Sequence, residues 1–132
     1  MKKVVVPVDT KEKCSFYDIT HKIEEVVRKS EVKEGVCVVY VPHTTASVNI
    51  NENCDPNVVV DLTNAFKNNV PDVRFLHDEG NSEGHYHTAL VGNSETIIIE
   101  DGKLQLGTWQ AIFFCEFDGP RSRSVYVKIL ED

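Results

Sequence analysis

The period of hydrophobic and polar positions changes several times along the chain, and each change predicts an element. Lys3 to Val8 is Val-rich and reads as a strand, with Pro7 placing it at a sheet edge. From Asp18 the spacing becomes helical: Ile19, Ile23, Val26 and Val27 fall at i, i+4, i+7 and i+8. Asp18 or Thr20 can cap that helix, and Gly35 lies past its end. Gly35 to Val41 reads as a buried strand. After Pro42 the chain alternates, with Ala46, Val48 and Ile50 on one face and Ser47, Asn49 and Asn51 on the other. Asp55-Pro56 starts a second helix, because the Asp side chain accepts orphan N–H groups and Pro at the first position has none to leave unpaired. Val58, Val59, Leu62, Ala65 and Phe66 carry it to Asn68-Asn69, and Pro71 stops it.

Val73 to Leu76 follows as a short, mostly apolar stretch, and His77 to Gly84 as a polar loop. His85 to Leu90 fits either a strand or a helix. Ser94 to Glu100 is strand-like and Asp101-Gly102 is a hairpin signal. Leu104 to Phe117 and Ser124 to Leu130 read as two further strands, joined by a turn beginning Asp118-Gly119-Pro120. Strands outnumber helices and several neighbours look hairpin-joined. The predicted class is α+β: a mostly antiparallel sheet system with two or three helices in a compact single domain over 1–132.

Composition narrows the function. The chain has 132 residues, of which 41% are hydrophobic and 27% charged, an ordinary globular balance. Its net charge of −7 disfavours general nucleic-acid binding, since an acidic surface repels phosphate backbones. The longest apolar run, Val36 to Val41, is far short of the ~20 residues of a membrane helix. The stretch after Met1-Lys2-Lys3 is too short for a signal peptide, so a cytoplasmic protein is expected. Cys14, Cys37, Cys54 and Cys115 form no C-x-x-C pair and read as reduced, mostly buried thiols.

Four constellations could carry chemistry. Of five histidines, His21 sits on the polar side of the first helix and reads as solvated. His43, His77, His85 and His87 lie at element junctions. Imidazole is the commonest metal ligand, and three ligands with one open position is the catalytic zinc pattern. If the segment is a strand, His85 and His87 share a side; if a helix, they point roughly 200° apart at about 100° per residue, and only one can serve. Metal ligands and ordinary hydrogen-bonded loop histidines both stay open. Glu52, ahead of a helix N-terminus, suits a general base or a partner to a ligand histidine, or simply a helix-dipole charge. Trp109, in Gly107-Thr108-Trp109-Gln110, reads more readily as a core residue than as a pocket wall. Arg121 and Arg123, after a tight turn, suit a phosphate or a carboxylate, or merely charge a hairpin tip.

Taken in order, these segments resemble the secondary thiamine-phosphate synthase family, also called YjbQ-like. The resemblance is carried by His43-Thr44-Thr45-Ala46, Ile50-Asn51-Glu52 and Asp55-Pro56. It continues through His77, His85 and Gly92 and the run from Ser94 through Gly102 to Gly107-Thr108-Trp109-Gln110, and ends with Glu116 and Asp118-Gly119-Pro120-Arg121. It spans nearly the whole chain; Cys54 and the loop Asn81-Ser82-Glu83-Gly84 depart from the usual pattern. The family's histidine stands seven residues before the glycine matched by Gly92, which selects His85 over His87. The resemblance implies His43, His77 and His85 as metal ligands and Glu52 and Arg121 as catalytic groups. It implies Thr44, Thr45, Asn51, Trp109 and Gln110 as substrate contacts, and a homotrimer with sites near subunit boundaries.

The activity implied is the joining of a pyrimidine methyl diphosphate to a thiazole phosphate with loss of diphosphate, a transferase reaction that could be a side activity. That chemistry calls for cations on the leaving group, and few are present. Three imidazoles suit Zn²⁺, Ni²⁺ or Co²⁺ better than Mg²⁺, which prefers oxygen. Two alternatives follow: a metal-dependent hydrolase or lyase on a small phosphorylated or carboxylated molecule, with Glu52 accepting a proton, and a non-catalytic module that binds a metal or small ligand.

Overall fold

The computed structural model describes residues 1–132. Along the chain lie β1 (Val4–Asp9), β2 (Ser15–Asp18), α1 (Thr20–Ser30), β3 (Gly35–Tyr40), β4 (Ala46–Glu52) and α2 (Pro56–Asn68). Then come α3 (Ser82–Val91), β5 (Ser94–Glu100), β6 (Lys103–Leu104), β7 (Gln110–Glu116) and β8 (Ser122–Glu131). Every strand pairing is antiparallel. One sheet has the order β1-β8-β3-β5-β6, the other β2-β7-β4. The α+β class with three helices follows, and β1, carrying Pro7, is an edge strand as expected. No helix is long and apolar enough to cross a membrane.

β7 explains the layering. Ala111 to Cys115 is apolar at every position, so this strand must be covered on both faces. Ile112 and Phe114 face the large sheet and join a core with Val48, Val39, Val125, Val127 and Ile129, closed by Ile23 and Val27 of α1. Ala111, Phe113 and Cys115 face the other way, onto Phe16 and Phe117, where Val59, Leu62 and Phe66 of α2 cover them. The molecule therefore has a two-sheet sandwich with helices over the outer face of the smaller sheet.

Local chemistry sets the element ends. Asp18 accepts hydrogen bonds from the Thr20 backbone N–H (2.9 Å) and hydroxyl (2.6 Å) just ahead of α1, but neither expected residue is its cap: the N-cap position is Ile19, which carries no side-chain cap bond. Asp55 accepts from the Asn57 N–H (2.9 Å), with Pro56 as the first helical residue. Gly35 lies past the end of α1, as expected, but is not its cap. Glu31 is the cap, in the left-handed conformation, while a Cβ on Gly35 would lie 2.1 Å from the Leu130 carbonyl oxygen across the β3–β8 pair. The predicted strand from Leu104 to Phe117 is two strands. Between them Gly107 donates its N–H to the Gln110 side chain (2.7 Å) and accepts from the Gln110 N–H (3.0 Å), which turns the chain. β2 has no counterpart among the predicted elements.

Candidate active site

The end of β4 at Ala46, the turn that precedes it, α3 and the start of β8 enclose a cleft of about 460 Å³ lined by polar side chains and Pro42. His43, Thr44 and Thr45 come from the turn and His85 from α3, with His77 opposite. Arg121, Arg123, Glu79 and Asn81 complete the lining. Asn93 holds the turn by donating to the carbonyls of Val41 (3.1 Å) and His43 (2.9 Å).

The segment is helical, and His85 and His87 point to different surroundings. His85 faces the cleft, with Nδ1 3.1 Å from the Thr44 carbonyl. His87 points into the second core between Phe66 and Phe117, its Nε2 2.9 Å from the Asn69 carbonyl. A carbonyl only accepts, so Nδ1 of His85 carries the proton and Nε2 keeps its lone pair, the arrangement of a metal-ligating imidazole. The His77 ring stands 5.4 Å from that of His85, nearly perpendicular to it. His43 is different: its Nε2 already accepts the Ser124 N–H (3.0 Å). A neutral imidazole has one ring lone pair, so Nδ1 of His43 carries hydrogen and donates. Burial, with the neighbouring Arg123 charge, holds the His43 pKa below its ordinary value, which keeps the ring neutral. The side chains as placed form no group of three His, Cys, Asp or Glu able to hold a metal ion.

The cleft has a support that sequence reasoning missed. Glu116 is fully buried and takes both Arg123 Nε (2.8 Å) and an Arg123 Nη2 bond. Glu116 also accepts from the Thr10 hydroxyl (2.8 Å) and the Asp118 N–H (2.9 Å). Arg123 Nη2 reaches Thr45 Oγ1 as well (2.9 Å). A signal existed in the alternation of the strand. Arg123 shares its face with Val125, Val127 and Ile129, so period two sends a guanidinium inward. Arg121 lies further out, bonded through Nη2 to Asp118 Oδ2 (2.9 Å) and through Nε to the Asp118 carbonyl (2.8 Å). Burial pushes the Asp118 carboxyl up, but bonds from Asn81 and Arg121 outweigh it and hold the pKa below the usual value. Gly119 allows this turn, since a Cβ there would lie 2.3 Å from the Glu12 carbonyl oxygen.

The remaining candidates gather elsewhere. Trp109 is 63% exposed, not a core residue, and with Gln110, Asn53 and Cys54 lines a second hollow of about 400 Å³. Asn51 and Glu52 end β4 on this side, Glu52 paired in register with Gln110, whereas Ala46 at the histidine end pairs with Glu116. Six residue-to-residue steps separate the two ends, about 20 Å at ~3.3 Å each. Within one chain, then, Glu52, Asn51, Trp109 and Gln110 are not brought to the histidines.

The sequence pattern described as "UPF0047 protein YjbQ-like" matches residues 5–132. UPF0047 protein MJ1081 of Methanocaldococcus jannaschii is 52% identical over 126 residues, covering 95% of this chain and 91% of that protein. UPF0047 protein YugU of Bacillus subtilis is 42% identical, covering 93% and 95%. A crystal structure of an uncharacterized yjbq/upf0047-family protein from Clostridium acetobutylicum superposes with a TM-score of 0.92 at 47% identity, covering 96% of this chain and 99% of that one. Hypothetical protein APE1520 from Aeropyrum pernix gives 0.92 at 35% identity over the full length of both chains. The names of these relatives state no activity, and none of the four carries the thiamine-phosphate synthase name.

Proposed function

The chain belongs to the YjbQ-like UPF0047 family, and on that footing we propose that it is an enzyme acting on a small phosphorylated molecule in the histidine cleft. One observation carries the reading: three imidazoles and two guanidiniums, from four separate stretches of chain, converge on one cleft without hydrophobic lining. Such a surface suits an anionic ligand rather than an apolar one.

The formal charges argue for an additional cation. Arg121 is paired with Asp118 and Arg123 with Glu116, which leaves Glu79 uncompensated. A divalent metal held by His77 and His85, zinc by the donor set, would supply positive charge beside the phosphoryl group. Thr44 and Thr45 offer hydroxyls to orient the ligand, and Arg121 reaches it from the rim. The same pairing bears on the reaction. Joining a pyrimidine methyl diphosphate to a thiazole phosphate needs several uncompensated positive charges on the departing diphosphate, and each arginine's charge is already offset by a carboxylate, although Arg123 Nη1 keeps free N–H groups. That observation favours hydrolysis or elimination on a phosphorylated substrate as the main reaction.

Our reading includes a homotrimer in which the Trp109 end of one copy completes the histidine cleft of the next. The 20 Å between the two ends supports this, because one copy cannot bring both groups to one ligand. So does the outer face of the five-stranded sheet, where Val5, Tyr40, Ile98 and Leu130 are exposed. Four free cysteines suit a reducing cytoplasm.

Elemental analysis of the purified protein tests the metal. His77→Ala and His85→Ala are expected to lose bound metal, while His21→Ala retains it; undiminished metal in the first two sinks the site. Assays with the pyrimidine and thiazole precursors, and with generic phosphate esters, separate the two reactions. Mixing His85→Ala with Trp109→Ala subunits tests sharing, since hybrid trimers then regain turnover that neither variant has alone.

A further inference from the structure

We infer that Arg123 and His43 form a preformed cradle for a single phosphoryl group, with Arg123 rather than Arg121 as its anchor; this rests on the phosphorylated-ligand reading above. Arg123 is 93% buried, being 7% exposed, yet it lines the cleft. Its Nε and Nη2 are consumed by Glu116 and Thr45. Its Nη1 makes no bond within the protein and is not among the sealed, unpartnered atoms, so its two N–H groups open on the cleft. His43 lines the same cleft and, with Nε2 held by the Ser124 N–H, has an Nδ1–H without a partner in the protein. Ser124 follows Arg123 directly, so one strand residue pair fixes both donors.

Preorganisation gives the pair its value. Glu116 holds the guanidinium with two bonds and cannot itself relax, being gripped by Thr10 and the Asp118 N–H. A ligand oxygen therefore meets donors already in place and spends no side-chain entropy on ordering them. Arg121 is about half exposed and spends its Nε and Nη2 on Asp118, so it can adjust to a ligand but does not set its position. Glu79 is the one carboxylate of the lining, and it disfavours anions that cannot also recruit a cation.

Isothermal titration of the full chain with inorganic phosphate and with phenyl phosphate, at matched added zinc, tests the cradle. Both probes are expected to bind the wild type. Arg123→Lys keeps the buried charge but loses the fork, and is expected to weaken both by about tenfold, the worth of a charge-assisted bond. The double variant Arg123→Gln with Glu116→Gln, which leaves no unpaired buried charge, is expected to do the same while keeping a cooperative melt. Arg121→Lys is expected to weaken binding less. Nitrogen-15 spectra of the His43 ring are expected to show Nδ1 protonated and Nε2 bare. Wild-type affinity in a folded Arg123→Lys, or a His43 ring protonated at Nε2, overturns the cradle and leaves the phosphorylated-ligand reading standing. A wild type that binds neither probe overturns that reading and the cradle with it.

Discussion

The two ends of β4 are built by opposite rules. At Ala46 the side chains are held: His43 by Ser124, His85 by Thr44 and Arg123 by Glu116, the last an ion pair with almost no exposure. At Glu52 the distinctive groups face outward, with Trp109 63% exposed and Cys54 and Asn53 at the surface. The first end has its side chains already held by partners within the chain. The second keeps a large aromatic surface in water, a costly arrangement unless another surface covers it. The contrast is between a braced polar cleft and an open aromatic surface.

The sharpest way to break the comparison is Glu116→Ala. It leaves the Arg123 charge buried and unpaired, and is expected to cost about 3–5 kcal/mol in urea denaturation. A cost near zero would show that the histidine end is not braced by this pair. Asp118→Asn acts on the same end but at its rim, with an expected loss of about 1 kcal/mol or less at neutral pH, since Arg121 is half exposed. Its pH dependence has a definite sign. The folded pKa of Asp118 lies below its ordinary value, so its contribution is present above that value and is lost as pH falls through the lower, folded one. The wild-type melting temperature should therefore fall more steeply below about pH 4 than that of Asp118→Asn.

Trp109→Ala at the other end is expected to change monomer stability by only about 0.5 kcal/mol, because little packing is lost. Its effect should appear in assembly and turnover, read by light scattering and activity. A large loss of monomer stability would mean that Trp109 has a structural role. The smallest effect belongs to Cys54, the one exposed thiol. Burial raises the pKa of Cys14 and Cys115 and pushes Cys37 up to about 11, so only Cys54 should react quickly with a thiol reagent. Cys54→Ser is expected to remove that fast phase. If the Trp109 end is covered by another copy, dilution should speed the labelling of Cys54.

Features that depend on neighbours in sequence were legible. The Asp55-Pro56 start, the Asp101-Gly102 hairpin and the edge strand with Pro7 all follow from which backbone groups a residue can bond or leave free. β2 escaped notice because four residues carry too little alternation to register. The long strand predicted over Leu104–Phe117 failed at Gly107, where the Gln110 side chain replaces a ladder bond. In the cleft, the residue types were legible but their work was not. His43 looked like a third metal ligand until its lone pair was found on Ser124, a residue 81 positions away. Arg123 could be read as the charge of a hairpin tip, but the alternation of β8 places it inside, against a Glu116 buried by the double coverage of β7.

By itself the sequence determined the α+β class, the single domain, the antiparallel pairing of neighbours and the roster of histidines and arginines. These depend on periodicity and turn chemistry, which act over a few residues. Only the tertiary structure decided that His85 faces the cleft while His87 enters the core, that Arg123 is anchored and Arg121 is not, and that the Trp109 end stands about 20 Å from the histidines. Those outcomes depend on which strand end meets which, and on one lone pair having one partner, and long-range register alone sets both.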